Sequence, residues 1–275
     1  MPELPEVETV RRTLEAKLAG LIFTGGEILL PKIVRTPDPQ KFIELIKNKR
    51  ILQVKRRGKY LLLTLSDSYS MAVHLRMTGA LIYCTGDQPP IRYTHVLLHL
   101  DNGHRLIFAD MRQFGGMWLV PTSALANLSG YKDLGMEPSE ECFTRDSFKK
   151  GLRHRRTRIK SLLLDQKFIA GLGNIYTDEA LHRARINPER SASTLTAREA
   201  AKLHHAIVDV LKAGIEHKGT TFRNFIDGDG RAGNHQEHLR AYNREGQPCL
   251  YCGQTIIRKK IGGRSSYYCP ICQRK

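Results

Sequence analysis

The spacing of apolar residues changes its period twice along this chain. Val7, Val10, Leu14 and Leu18 recur at helical spacing and predict a first helix over 5–19. Pro5 suits a first helical turn, Glu6 and Glu8 sit at the positive end of the helix dipole, and Gly20 follows the last turn. From 21 to 121 the pattern is that of short strands. Segments 51–55 and 60–65 flank a turn at Gly58, and 71–75 and 80–83 follow. Segments 95–100 and 105–108 flank Asp101-Asn102-Gly103, a hairpin signal, and 117–120 closes the series. Many short strands with turn punctuation predict a sandwich or barrel. Residues 122–143 carry Ser, Pro, Gly and Asn with little periodicity and read as a linker. Beyond them the chain turns helical again. Its longest helix should begin at Thr196, where Thr196-x-x-Glu199 makes a capping box ahead of Leu203, Ile207 and Leu211. Residues 219–238 are polar and contain Gly228, Gly230 and Gly233. The segment is too long for a simple connector, and its glycines suggest a flexible lid.

Composition narrows the field. Among 275 residues, 41% are hydrophobic, enough for a packed core and against general disorder. Lys and Arg number 44 against 27 Asp and Glu, a formal charge of +17, which attracts polyanions and nucleic acid first. A ribosomal or membrane-surface protein would share that charge. The longest apolar runs are strand-sized, and the acidic N-terminus has no apolar signal core, so neither a membrane span nor secretion is expected.

Four of the six cysteines form two pairs, Cys249-x-x-Cys252 and Cys269-x-x-Cys272, with 253–268 between them. Four soft thiolates at this spacing suit tetrahedral zinc with no open position, in a reducing compartment. A redox pair or disulfides are the alternatives. Segments 256–260 and 266–268 around Gly262-Gly263 read as a hairpin beside that metal. Its charges, Arg258, Lys259, Lys260 and Arg264, fit either a DNA-reaching finger or ordinary solvation. Cys84 and Cys142 stand alone and read as core thiols.

The N-terminus carries candidate chemistry. An initiator Met before Pro is usually removed, leaving Pro2 with a free secondary amine. Such an amine is nucleophilic near neutral pH. Condensed with a sugar aldehyde it yields a cationic iminium with no N–H to lose, a lasting electron sink. Glu3 and Glu6 stand close enough in sequence to carry protons, although Glu in a first turn is more often a dipole partner than a catalyst.

Taken in order, several blocks carry a resemblance. They are Pro2-Glu3-Leu4-Pro5-Glu6-Val7-Glu8, Arg56-Arg57-Gly58-Lys59-Tyr60, His74-Leu75-Arg76-Met77 and Asp110-Met111-Arg112-Gln113-Phe114-Gly115. Leu163-Leu164-Asp165-Gln166 follows, then Gly171-Leu172-Gly173-Asn174-Ile175-Tyr176-Thr177-Asp178-Glu179 and the cysteine module with Gly263-Arg264. Together they resemble the bacterial-type formamidopyrimidine-DNA glycosylase family across nearly the whole chain.

The resemblance implies an α+β multidomain fold. Residues 1–121 would be an N-terminal helix with an antiparallel β-sandwich, 122–143 a linker, 144–240 a helix–two-turns–helix DNA-binding domain with a lesion-recognition loop at 219–238, and 241–275 a β-hairpin zinc finger. It implies base excision repair of oxidised purines (8-oxoguanine and formamidopyrimidines) in damaged double-stranded DNA, followed by β,δ-elimination. Pro2 would be the nucleophile at C1′ and Glu3 the acid/base, with Glu6 and Lys59 near the reacting sugar and phosphate. His74, Lys160, Asn174 and Arg264 would bind phosphates. Met77, Arg112 and Phe114 would fill the gap left by an extruded nucleotide; by residue type alone, Met77 and Phe114 would be core. Thr220, Thr221 and Arg223 would read the base. Cys249, Cys252, Cys269 and Cys272 would hold one structural Zn2+, with no organic cofactor. The expected protein is a monomer of the bacterial cytoplasm with no membrane partner.

Two departures stand out, Thr78 where Glu is expected and Gln113 where Lys is expected. Two rival readings are an endonuclease VIII-like enzyme for oxidised pyrimidines and a non-catalytic zinc-finger DNA-binding protein. Leu4 and the Met77, Arg112 and Phe114 set favour the purine branch.

Overall fold

A computed structural model describes residues 1–86, 89 and 91–275. The chain divides into two compact units. One comprises Met1–Lys132 and His217–Asn234, the other Asp133–Glu216 and His235–Lys275.

The first unit opens with α1 (Leu4–Leu18), whose stripe Val7, Val10, Leu14 and Leu18 is fully buried in the core of that unit. Strands β1 (Phe23–Ile28) and β2 (Val34–Thr36) follow, then α2 (Pro39–Ile46), capped where the Asp38 side chain accepts from Lys41 N. This helix lies inside the stretch read from sequence as strands. It is short: Phe42 and Ile46 are buried and Ile43 and Leu45 half-buried against the core, a helical face of only two turns set between strand-like runs. Next come β3 (Ile51–Arg57), β4 (Tyr60–Leu65), β5 (Tyr69–His74), β6 (Gly79–Thr85), β7 (Thr94–Leu100), β8 (His104–Asp110) and β9 (Gly116–Pro121). They form two sheets, ordered β1-β7-β8-β6 and β2-β9-β5-β4-β3. Every pairing is antiparallel except β2 with β9. Leu61 and Leu63 of β4, Met71 and Val73 of β5, and Leu106 and Phe108 of β8 alternate into the same core as α1. At the outer edge of β3, the amide of Val54 donates to the carboxylate of Glu15 on α1.

The second unit holds α3 (Arg145–Leu152), α4 (Ile159–Leu164), α5 (Asn174–Ala184), α6 (Ala197–Glu216), β10 (Ile257–Ile261) and β11 (Arg264–Tyr268). Thr196 and Glu199 cap α6 reciprocally, at 2.9 and 3.3 Å. The two turns between α4 and α5 are stapled by Gln166. Its amide donates to Leu164 O and Leu172 O, and its oxygen accepts from Gly171 N at 3.0 Å.

The units cut the chain differently from the divisions read in the sequence. The loop assigned there to the helical domain splits at 234, and His217–Asn234 packs with the first unit. The physical reason lies in its glycines. A Cβ on Gly228 would stand 2.7 Å from Thr13 Oγ1 and 2.8 Å from Leu14 Cδ2; one on Gly233 would meet the carbonyl oxygens of Lys218 and Gly219. These glycines permit close packing, where the sequence alone suggested flexibility. The remaining residues, 235–238, form a short 3-10 turn in the second unit.

Candidate active site

Glu3 precedes α1 and Glu6 lies in its first turn, and both carboxylates are buried. Glu6 accepts from the Glu3 amide at 2.8 Å through one oxygen and from the Thr220 amide at 2.7 Å through the other. Pro2 is buried immediately ahead of them, while Met1 is 51% exposed and open to removal. The nucleophile candidate and both acid candidates therefore share one helix end, and the 217–234 segment reaches the same carboxylate.

Glu8 holds the neighbouring turn in place. It accepts from Arg11, Arg12 and Arg56, the last at 3.1 Å. Burial opposes its charge, but the three guanidinium groups outweigh burial and keep the carboxyl below its ordinary range. Arg56 also donates to Gly58 O, in the β3–β4 turn where Gly58 takes a φ of +55°. Lys59 is buried beside this turn, close enough to His74 for its charge to be felt there. His74, also buried, packs edge-on against Tyr60 at 4.5 Å, and its Nδ1 accepts from Arg76 N at 3.0 Å.

Two turns bring Met77, Arg112 and Phe114 together. Met77 sits at the tip between β5 and β6, closed by the bond from Gly79 N to Leu75 O. Arg112 and Phe114 lie between β8 and β9. The Arg112 guanidinium meets Met77 Sδ at 3.0 Å and lies 4.8 Å from the centre of the Phe114 ring. Met77 is 39% exposed and Phe114 51%, so the core reading of these residues is wrong. The buried Asp110 organises the pair of turns: its carboxylate accepts from Thr78 Oγ1, Arg112 N and Gly115 N. Thr78 Oγ1 also accepts from Arg112 N at 3.0 Å. Gln113 adopts a left-handed φ of +59°, which the turn demands of whatever residue stands there.

In the second unit Asn174 and Lys160 converge on one atom. The Asn174 side chain donates to Ser265 O at 3.0 Å, and Lys160 Nζ donates to the same oxygen at 2.8 Å. Arg264, one residue before, is exposed at the hairpin turn. Lys160 itself is 0% exposed and ion-paired with Asp178 at 2.6 Å. The phosphate role expected for Lys160 is therefore corrected, because its charge is spent inside the unit joining α4, α5 and β11. Thr221 likewise uses its hydroxyl internally, donating to Phe225 O and accepting from Gly233 N, while Arg223 is exposed.

The sulfur atoms of Cys249, Cys252, Cys269 and Cys272 lie within 4.8 Å of one another. Tetrahedral thiolates at about 2.3 Å from a zinc ion would stand roughly 3.8 Å apart, so the four sulfur atoms are gathered closely enough to hold that metal. His182 Nε2 is 3.4 Å from Cys249 Sγ.

Residues 1–117 match the formamidopyrimidine-DNA glycosylase N-terminal domain, 134–225 its H2TH domain, and 246–274 the zinc finger found in FPG and IleRS. The chain belongs to the formamidopyrimidine-DNA glycosylase family. It is 66% identical to the formamidopyrimidine-DNA glycosylase of Pelotomaculum thermopropionicum over 100% of this chain and 99% of that one. It is 56% identical to that of Desulforamulus reducens over the same shares. A Lactococcus lactis FPG mutant in complex with Fapy-dG containing DNA superposes with a TM-score of 0.94 at 36% identity, covering 100% of both chains. The Lactococcus lactis Fpg with an abasic site containing DNA does so at 0.93, covering 99% of this chain and 100% of that one. The family fold of N-terminal helix, β-sandwich, helical domain and finger is the fold described above, and the four cysteines hold one structural zinc. No helix among the described residues is long and apolar enough to cross a membrane.

Several working residues were not singled out from sequence. Asp110, Gln166, Asp178 and Glu179 sit inside the blocks that carry the resemblance but had no role of their own. Glu8 was visible through Arg11 and Arg12 at helical spacing after it. His182 was visible as the third polar residue of the series 174, 178, 182 on one helix face.

Proposed function

We propose that this protein is a bifunctional DNA glycosylase and abasic-site lyase of base excision repair, acting on oxidised purines in duplex DNA. The observation that carries the reading is the arrangement at the head of α1. Pro2, Glu3 and Glu6 lie together there, with Glu6 bonded to the loop at Thr220.

Once Met1 is removed, the Pro2 nitrogen attacks C1′ of the damaged nucleotide as the bond from C1′ to the base breaks, and Glu3 carries the proton. Glu3 then protonates the ring oxygen O4′, and the C1′–O4′ bond opens as the Pro2 nitrogen shares its lone pair. The resulting iminium acidifies the C2′–H, so that successive β- and δ-elimination release the two flanking phosphates. Glu6 orients the segment that faces the base, and Lys59 with neutral His74 serves the phosphate side. Met77, Arg112 and Phe114 fill the emptied stack: Met77 and Phe114 as apolar wedges, Arg112 as hydrogen-bond donor to the orphaned cytosine. Asn174 at the N-terminus of α5 and exposed Arg264 take up backbone phosphates. Thr220, Thr221 and Arg223 belong to the base-reading segment, Thr220 and Thr221 through the loop shape their bonds set and Arg223 through its exposed guanidinium. The enzyme acts as a monomer, and its thiolate zinc centre needs the reducing cytoplasm.

Borohydride trapping on duplexes carrying 8-oxoguanine opposite cytosine is the decisive test. A covalent adduct should form with protein lacking Met1 and vanish in Pro2→Gly and in protein that keeps Met1, as verified by mass spectrometry. An undiminished adduct in either would remove Pro2 from the chemistry. A second substrate class belongs in the same assay, because a Lactococcus lactis FPG was solved with an oxidized pyrimidine containing DNA at a TM-score of 0.93.

A further inference from the structure

Thr220 N binds Glu6, but the segment touches α1 again further along. Gly228 N donates to Thr13 Oγ1 at 3.0 Å, and Asp229 is ion-paired with Lys17. Glu6, Thr13 and Lys17 are spaced i, i+7, i+11 and so form one flank of α1, a residue ahead of the buried stripe Val7, Leu14 and Leu18. The same tip is held from the sheet side: Tyr83 N of β6 donates to Gly228 O at 3.0 Å, and Lys17 Nζ lies 5.3 Å from the centre of the Tyr83 ring.

Between the two contacts the segment is internally tied. The buried Asp227 accepts from Asp229 N and Arg231 N, each at 2.9 Å, and its own amide donates to Arg231 O. Thr221 bridges Phe225 O and Gly233 N, and Phe225 packs on the core. Gly228 has no room for a side chain, because a Cβ there would press on Thr13 and Leu14. The stretch 222–226 is thus suspended between two anchors on a single helix, the helix whose first turn carries the candidate acids.

We propose that Thr13 and the Lys17–Asp229 pair are positioning residues, a latch that sets the register of the base-reading segment against the Pro2, Glu3 and Glu6 end of α1. This rests on the function proposed above and deepens it: the latch governs base release and not the elimination steps, because only base release needs the base to be held. None of the latch groups touches the sugar. Their effect is transmitted through the segment, and small displacements of a positioning group can lower rates by one to two orders of magnitude.

Thr13→Val removes the acceptor while keeping the shape, Thr13→Ser restores it, and Asp229→Asn weakens the ion pair at the surface. Hydrogen exchange of amides 219–231 in the DNA-free protein should speed up in Thr13→Val and Asp229→Asn and stay at the wild-type rate in Thr13→Ser. Single-turnover release of 8-oxoguanine should slow about tenfold in Thr13→Val, while cleavage at a preformed abasic site should stay within about twofold of wild type. Wild-type exchange in Thr13→Val would overturn the latch. So would unchanged base release from a loosened segment, or equal loss of both activities. The exchange measurement needs no turnover, so a wild-type protein that released no base would sink the functional reading and still leave exchange to decide the latch.

Discussion

His74 works without a positive charge. Burial first, then the charges of Arg76 and Lys59, push its pKa down to about 3. Its Nδ1 accepts from Arg76 N, so the proton sits on Nε2 and the ring is a neutral donor on that side. Stability carries the signature of that state. The folded pKa lies below the value of about 6.5 expected in the unfolded chain. Between these values the unfolded state binds the extra proton, so stability is full above about pH 6.5 and falls as the pH drops towards 3, by up to about 1.4 kcal/mol per pH unit. Urea titrations at pH 7 and pH 4.5 should show a larger loss in wild type than in His74→Gln, and parallel losses in the two would refute the assignment. Thr78 carries a second lesson at this scale. Glu was expected there, yet the Thr hydroxyl bridges Asp110 and Arg112 N, joining the turn of Met77 to the turn of Arg112 and Phe114.

Among the elements, α5 meets the finger with a row of polar side chains, beside Lys160 of α4. Asn174, Asp178 and His182 lie on one face and bond in turn to Ser265 O, Tyr267 N and Cys249 Sγ. Next to them Glu179 accepts from the amides of Arg240, Ala241 and Tyr242, the chain leading into the finger. Burial pushes Asp178 up to about 7, opposed by Lys160 and the Tyr267 amide. The helix therefore positions the zinc module through polar contacts, and removing either partner of the buried Lys160–Asp178 pair would leave an unpaired charge inside. His182 is held neutral chiefly by burial, with a pKa of about 4, and its Nε2–H faces a zinc-ligating sulfur. Such outer contacts orient ligands and raise metal affinity. His182→Leu should weaken zinc binding about 10–100-fold, read by competition with a chromophoric chelator. An unchanged affinity would make His182 a packing residue only.

For the whole molecule, the formal charge of +17 dominates encounter with DNA. Binding to lesion-containing duplex should weaken steeply with salt, with a log–log slope of about −0.9 for each phosphate neutralised. Arg264, exposed at the finger turn, should account for one of them, so Arg264→Ala should flatten the slope by about one phosphate. A slope near zero in wild type would mean that the basic surface does not meet the backbone.

Most elements, the four-cysteine zinc set and the order of the motif blocks were legible in the sequence because each is a local property. A helical stripe such as Val7–Leu18, a hairpin turn such as 101–103 and a ligand spacing such as 249–252 are written in neighbouring residues. The head of α1 was legible for the same reason, since Pro2, Glu3 and Glu6 are close in the chain. Helix α2 escaped because its two turns, with Phe42, Ile43, Leu45 and Ile46 close together, look like part of the strand-rich stretch around them. What surrounds a side chain was decided only by the fold. Lys160 lost its expected role to Asp178 and Ser265, which are 18 and 105 residues away. Met77 and Phe114 are exposed because a turn organised by Asp110 lifts them out of the core, and no residue preference encodes that. Gly228 is small because Thr13 and Leu14, more than two hundred residues earlier, press against it. Burial, pairing and close approach depend on partners that meet only after the chain has folded.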